Sequence, residues 1–520
     1  MNARPGTPVP SARRSGACAW GCTWGLSVGP RTVRSIHVRS VARRAKVTSM
    51  DSIRTACASV VLVMTACGTG ARSGDGGAAD RAPVPLDASA DASIDAPADA
   101  DAVDDAVASP DARSNIRHVV LISQENHTFD TYFGRYCTAP AGSNPTCNDG
   151  PACCERAPDA DPMGHAPVTL DDAANANYDP NHAQDCERAE INGGAMDRFA
   201  AGAPFVGVAP CSDARNVAIA STSLLAPYHQ LASMYALADR YFQPIVGSTS
   251  ANDMYFAVAQ KQFIDNQFFP DAIGTGCTLG LVSARVRYTG RTTIADLLLA
   301  AGETFGVYAE GYAAMRNSNG GFPPCPSRPG DCTGTGAGYL AVCYYDPSDV
   351  PFEYYAQFTD NPMYMHDLAD LATDVSRRSL PSFSYVKHAA YHNEHPGYGN
   401  TISNGVSHVQ AVIDLISASP YADDTLILVT WDEGGGFFDH IAPPGPLFDG
   451  ESRGTRVPLL VVGRFARRNF VSHVELEHSS IVRFLEFNFL GSTGQLNARD
   501  ALVNNLGSLL DPAQTGIVVP

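Results

Sequence analysis

Residues 425–440, TLILVTWDEGGGFFDH, decide how the rest of the chain reads. The apolar run 426–429 is too short for a helix and is bounded by turn-forming residues, so it reads as a buried strand of an α/β sheet. Asp432 and Glu433 follow at its carboxyl end, then Gly434, Gly435 and Gly436, then Asp439 and His440. Ligands of open α/β sheets lie just beyond the carboxyl ends of the strands. Two carboxylates at that place, followed by backbone that permits close approach, suit a cation and an anionic substrate. Within this stretch alone, an acidic N-cap ahead of a glycine-rich turn would look the same.

Residues 118–130, HVVLISQENHTFD, repeat the pattern, with an apolar run at 119–122 and then Glu125-Asn126 where the strand should end. Two strands bringing oxygen ligands to one sheet edge are hard to attribute to chance caps. ENHTFDTYFG, residues 125–134, resembles the ENRSFDHYFG signature of a bacterial phosphoesterase family that includes phosphatidylcholine-type phospholipases C and an acid phosphatase. WDEGGGFFDHIAPP, residues 431–444, resembles that family's DExGGFFDHVxPP signature. The resemblance implies an α/β fold with an alkaline-phosphatase-like central sheet flanked by helices.

Residues 236–255, ALADRYFQPIVGSTSANDMY, read as a short helix ending near Arg240, a loop through Gly247 and a second helix from about Ala251. A hydroxyl just before a helix start sits among unpaired N–H groups at the positive end of the helix, where a phosphoryl group can be held for attack. An ordinary Ser/Thr N-cap is the other reading. The family pattern here is GPTxPNR. Thr249 and Asn252 keep its register, which implies Thr249 as nucleophile and Asn252 as a phosphate contact. Both prolines are missing, and Asp253 stands where the pattern has Arg, which would put a negative charge beside an anion site.

Weaker resemblances extend the match from residue 116 to the C-terminus. Residues 179–199 are similar to H…NGGxMDxF, which implies His182 as a phosphate contact. Residues 381–399 read as a strand ending near Lys387, and Glu394-His395-Pro396 then resembles the family's EHP. That implies His395 at the substrate phosphate or leaving group; the neighbouring His388 and His392 are not singled out by the family. Residues 293–312 read as helix then strand, 406–418 as an amphipathic helix, and 456–463 as a further core strand. In residues 473–490 the resemblance leaves His473 supporting the site from behind and His478 as a structural cap, ahead of a helix at 479–489.

At 520 residues and 44% hydrophobic composition the chain can bury a large core. Its formal charge of −18 argues against a nucleic-acid partner. Residues 1–49 are basic, contain no acid, and read as an unstructured leader or a region ahead of the true start. Residues 50–67 have signal-peptide proportions and end in Thr65-Ala66-Cys67, which resembles a lipoprotein cleavage box; a plain secretory signal is the alternative. Residues 68–114 are rich in Ala and Asp and read as a disordered tether, leaving 115–520 as the phosphoesterase domain. The expected location is therefore outside the inner membrane, periplasmic or on the cell surface, with membrane contact only through lipid on Cys67. On this reading Cys67→Ala moves the protein from the membrane fraction to the soluble one, and unchanged fractionation would refute the anchor. Ten cysteines follow Cys67, an even number that allows up to five disulfides stapling loop insertions. None lies after Cys343, so the last third is expected to hold by packing alone.

The combined reading is an exported, metal-dependent phosphoesterase. Glu125, Asn126, Asp432, Glu433 and the Thr249 oxygen form a set suited to one divalent cation, Ca, Mg or Mn before Zn or Fe. Thr249 attacks phosphorus, while His182, Asn252 and His395 hold phosphate oxygens or protonate the leaving group. Asp439 and His440 orient the loop behind the ligands. The region around Thr249 shows no evident cluster of aromatic residues, so soluble monoesters or small diesters rank ahead of membrane phospholipids as substrates. A phospholipase C acting on membranes is the alternative within the enzyme class. An inactive surface lipoprotein that binds anions or glycans is the alternative outside it, and a sulfatase-like hydrolase lacks its Cys/Ser-x-Pro-x-Arg motif here.

Overall fold

The computed structural model describes residues 114–204, 210–278, 284–318, 325–332 and 342–520. The expected leader, signal segment, Cys67 and tether up to residue 113 lie outside the described residues.

The two runs that opened the reading pair with each other. Strand β1 (His118–Gln124) lies parallel to the neighbouring strand at Thr425–Trp431, with Gln124 opposite Trp431. Both are covered on both faces, which is why each reads as a continuous apolar run rather than an alternation. The remaining strands of the sheet are β2 (Ala236–Ala238), β3 (Phe305–Ala309), β4 (Met365–Asp367), β5 (Phe383–Lys387), β6 (the Thr425–Trp431 strand), β7 (Leu459–Val462) and β8 (Phe470–Ser472). Their spatial order is β8-β2-β7-β6-β1-β5-β3-β4. The half from β6 to β4 is parallel, while β7 runs antiparallel to both β6 and β2. The fold is thus α/β, with a large mixed central sheet.

Helices cover the sheet. We number α1 (Phe129–Phe133), α2 (Gln184–Ile191), α3 (Ala226–Met234), α4 (Thr249–Val258), α5 (Ile294–Ala300), α6 (Ile402–Ser417) and α7 (His478–Leu485). On α6 the buried residues Val409, Val412, Ile413 and Ile416 recur at three- and four-residue spacing, which turns one stripe to the sheet.

Two expectations for this part of the chain need correction. Residues 236–240 do not end a helix: α3 stops at Met234, and 236–238 form β2 between β7 and β8. The Ala-rich run favours a helix locally, but the open place in the sheet overrides that propensity. The following helix starts at Thr249 rather than near Ala251.

All ten cysteines after Cys67 are paired, as 137–154, 147–153, 186–211, 277–325 and 332–343. The last third, without disulfides, is held by more than packing. Wholly buried Arg499 bonds Glu477, Asp449 and the Pro244 carbonyl. Wholly buried Arg456 bonds Asp439, Asp130 and the Asp239 carbonyl. No helix among the described residues is long and apolar enough to cross a membrane.

Candidate active site

Because Gln124 and Trp431 are register partners on adjacent parallel strands, the residues that follow them leave the sheet edge together. Adjacent strands lie about 4.8 Å apart, so Glu125-Asn126 and Asp432-Glu433 arrive side by side. The Asn126 backbone N–H donates to Asp432 Oδ1 at 3.0 Å and locks the two pairs. Asn126 is in the left-handed region with φ 62°, which Asn tolerates better than most residues. Gly435 packs against it so closely that a Cβ there would lie 2.5 Å from the Asn126 carbonyl oxygen. The glycine run is therefore required by contact as well as by its own turn.

Thr249 reaches the same point from α4. It is the first helical residue after the cap Ser248, and its hydroxyl donates to Glu433 Oε1 at 3.3 Å. Gly247 ahead of it has φ 129° and lies on Asp265, where a Cβ would come within 2.6 Å of the carboxylate, so the loop needs glycine there. Asn252 does not face this point. Its carbonyl accepts from Ile245 N at 3.2 Å, and its amide donates to the Gly247 and Ser248 carbonyls at 2.6 and 3.3 Å. It ties down the loop that carries Thr249, with its hydrogen-bonding capacity spent there rather than on a phosphate.

His182 and His395 stand on the other side. Each imidazole puts Nδ1 on a backbone carbonyl, Pro180 at 2.9 Å and Pro396 at 2.7 Å. Their Nε2 atoms point inward, 3.8 Å from Glu433 Oε1 and 3.9 Å from Glu125 Oε2. Asp179 joins them in a group whose ligand-type atoms lie within 4.8 Å of one another. Burial works against a charged His395, but Asp179 and Glu125 outweigh it and raise its pKa above the ordinary value.

The acids are short of positive charge. Burial first, and then repulsion from Glu125, pushes the Asp432 carboxyl up to about 6. Burial and the neighbouring Glu187 and Asp432 push Glu433 well up. Glu125 differs: burial opposes its charge, but Lys387 at 2.7 Å and His395 hold it below the usual carboxylate range. Lys387 ends β5 beside β1 and is the site residue that sequence reasoning missed most plainly; a lysine closing the otherwise apolar β5 was the available signal.

Asp432 Oδ2, Glu433 Oε2 and both side-chain polar atoms of Asn126 are buried without a hydrogen-bond partner. Buried polar atoms are almost always satisfied, so these four orphans on adjoining residues call for a bound group. An all-oxygen donor set of carboxylates, an amide and a hydroxyl fits a hard divalent ion. The residues present are therefore compatible with a metal cofactor.

Asp439 and His440 form a separate layer. Asp439 accepts from the Asp130 N–H at 3.1 Å, His440 Nδ1 lies 2.8 Å from Asp130, and Arg456 bonds both acids. This layer ties the two signature loops together. The structure separates the two histidines near β8 differently from the sequence reading. His473 is bonded to Asp239 and the Cys147 carbonyl, away from the ligands. His478 sits instead between the Tyr241 hydroxyl and the Asp432 backbone carbonyl, 2.7 Å from the latter. Spacing to the helix start did not distinguish them, because their partners come from distant parts of the chain: Asp239 and Cys147 for His473, Tyr241 and Asp432 for His478. Asp253 also departs from expectation: it is wholly buried, accepts from Tyr385 at 3.4 Å, and burial raises its pKa well above normal.

The cavity in front of Thr249 encloses about 220 Å³. Its wall includes Glu125, His182 and His395, and beyond them Asp346, Asp349, Phe269 and Tyr398.

The phosphoesterase family model matches residues 116–490. The chain is 26% identical over 441 residues to phospholipase C B of Mycobacterium tuberculosis, covering 77% of this chain and 78% of that protein. It is 24% identical over 423 residues to the non-hemolytic phospholipase C of Pseudomonas aeruginosa, covering 72% of this chain but 54% of that longer relative. Among solved structures, a protein in the alkaline phosphatase superfamily from Vibrio parahaemolyticus aligns over 78% of this chain and 73% of that one, at 13% identity and a TM-score of 0.32. With the family match running from the first strand through α7, this chain belongs to the phosphoesterase family and is a hydrolase acting on phosphoric ester bonds.

Proposed function

We infer that hydrolysis runs through Thr249 and a phospho-threonine intermediate. The observation that carries this is the position of the Thr249 hydroxyl, 3.3 Å from Glu433 and among the orphaned ligand atoms of Asn126, Asp432 and Glu433. A divalent ion held by Glu125, Asn126, Asp432, Glu433 and the Thr249 oxygen would lower the hydroxyl pKa and offset charge on the phosphoryl oxygens. Glu433, which accepts from the Thr249 hydroxyl at 3.3 Å, takes its proton. Thr249 Oγ1 bonds to phosphorus as the bond to the leaving oxygen breaks, and His395 Nε2 supplies the proton that oxygen needs. Water then attacks phosphorus and gives its proton to His395, while the bond from phosphorus to Thr249 Oγ1 breaks and Glu433 returns the proton to that oxygen. His182 Nε2 faces the same space and holds a phosphoryl oxygen.

The cavity bears on the substrate. At about 220 Å³ it is smaller than the ~300–1,000 Å³ of drug-sized sites, so it takes the phosphoryl group and one small alcohol. Asp346 and Asp349 line it, raised by burial and then by repulsion in which Glu125 takes part. With Phe269 and Tyr398 beside them, these acids favour a cationic alcohol, through its charge and through the ring faces. The sequence reading missed the two rings because they come from separate segments that only the fold brings together. Their presence orders the soluble substrates, which the sequence left unranked: a diester carrying a cationic alcohol comes ahead of a dianionic monoester. Relatives named phospholipase C support a phospholipid or other phosphate ester as the substrate class. The expected result is a higher kcat/KM on p-nitrophenylphosphorylcholine than on p-nitrophenyl phosphate, with both rates lost in EDTA and restored by a divalent ion. A clear preference for the monoester would refute the substrate reading, and full activity in EDTA would refute the metal. Initial rates on phosphatidylcholine vesicles would then show whether lipid assemblies are attacked.

A further inference from the structure

One buried acid lies outside these roles. Glu394 precedes His395, is wholly buried and has φ 74°, a left-handed conformation that costs a non-glycine residue about 1–3 kcal/mol. Such a conformation persists only where the surroundings over-determine it. Here they do, because the carboxylate accepts four bonds. Tyr132 and Trp431 donate to Oε2 at 2.7 and 3.2 Å, while Tyr228 and Gln124 donate to Oε1.

The identity of these donors gives the arrangement its meaning. Gln124 immediately precedes Glu125-Asn126, and Trp431 immediately precedes Asp432-Glu433. Tyr132 lies on α1, in the first signature, and Tyr228 on α3. On its other side Glu394 is flanked by Asn393, which donates to Glu125 Oε1 at 2.8 Å, and by His395. The α6 backbone presses on the Glu394 stem: a Cβ at Gly405 would come within 2.2 Å of its Cγ. One carboxylate therefore binds the residue ahead of each ligand pair and the loop that carries the general acid.

We propose that Glu394 is the positioning residue that sets the spacing of Glu125-Asn126, Asp432-Glu433 and His395. The inference rests on the reading of those residues as the reaction centre. A carboxylate can satisfy all four donors, and two oxygens shared among them leave no freedom to the strands they belong to. A glutamine of the same shape keeps one acceptor oxygen and turns an N–H₂ toward donors, which loosens one side of the hub.

The test compares Glu394→Gln, Tyr132→Phe and Asp432→Ala with the unaltered full chain. Metal affinity is measured by titrating Mn²⁺, kcat and KM on p-nitrophenylphosphorylcholine, and folding by circular dichroism and thermal melting. Residues that orient metal ligands typically change affinity or activity by about 10–100-fold when altered. Glu394→Gln is expected to weaken Mn²⁺ binding and lower kcat within that range of about 10–100-fold, with KM nearly unchanged and the protein folded. Tyr132→Phe, which removes one donor, gives a smaller loss of the same kind. Mn²⁺ affinity and kcat within about twofold of wild type in a folded Glu394→Gln would overturn the proposal. Should that variant fail to fold, unchanged affinity and kcat in Tyr132→Phe would overturn it instead. Asp432→Ala separates the two levels: if it keeps metal and activity, the reading of the centre fails; if it is dead while Glu394→Gln is normal, only the positioning role fails.

Discussion

Thr249→Ala is expected to lose about a hundredfold or more in kcat/KM, at least ~3 kcal/mol of transition-state stabilisation, because it removes the nucleophile. Its flanking hydroxyls are the only near substitutes, and the structure gives each a different neighbour. Ser248 Oγ donates to the His182 carbonyl at 3.3 Å, and Ser250 is wholly buried beside Tyr354. Only the middle hydroxyl of the three bonds to Glu433. Ser248→Ala and Ser250→Ala should therefore keep most activity. A dead Ser250→Ala with an active Thr249→Ala would place the nucleophile one residue later. The change itself should cost little stability, since Thr249 starts α4 without serving as its cap.

Asp432→Ala should lower turnover to below about a hundredth of wild type and strip most of the bound metal, with the fold intact. The fold survives because the metal-free carboxyl is a burden: burial, then Glu125, raises it to about 6 from 3.8. With a folded pKa above the unfolded one, the metal-free protein loses stability from this group as pH rises from about 4 to about 6. Metal binding has the opposite sign, since the ion needs the ionised carboxylate and its binding releases protons. Affinity for a divalent ion should therefore fall as pH drops through about 6, measured by calorimetric titration at about pH 5 and about pH 8. Equal affinity at the two pH values, or wild-type turnover in Asp432→Ala, would contradict this assignment.

Glu125-Asn126 and Asp432-Glu433 stood out as strand-end pairs because that information is local, whereas Thr249 entered only through the family resemblance. An apolar run that stops at Trp431, followed by Asp432-Glu433, marks a strand end with ligands, and the run before Glu125-Asn126 marks another. The α/β class follows from such runs, and the even set of ten cysteines anticipated the five pairs that the structure forms. The strand at Ala236–Ala238 was not readable, since three small apolar residues are a strand only when neighbours wait on both sides.

The assembly of the centre was decided by tertiary structure. That β1 and β6 are neighbours in register, so that Glu125-Asn126 meets Asp432-Glu433, is a property of the sheet order and not of either strand. The partner of a buried charge is likewise set by what the fold brings near. Lys387 answers Glu125 from the next strand, and His478 rather than His473 reaches the Asp432 backbone. Asn252 turns inward to its own loop, and Phe269 and Tyr398 converge on one cavity from two separate segments. Burying a polar group without a partner costs about 1–3 kcal/mol, so each of these contacts is enforced once the chain is folded. The penalty exists only in the folded interior, so no single stretch of sequence could reveal those partners.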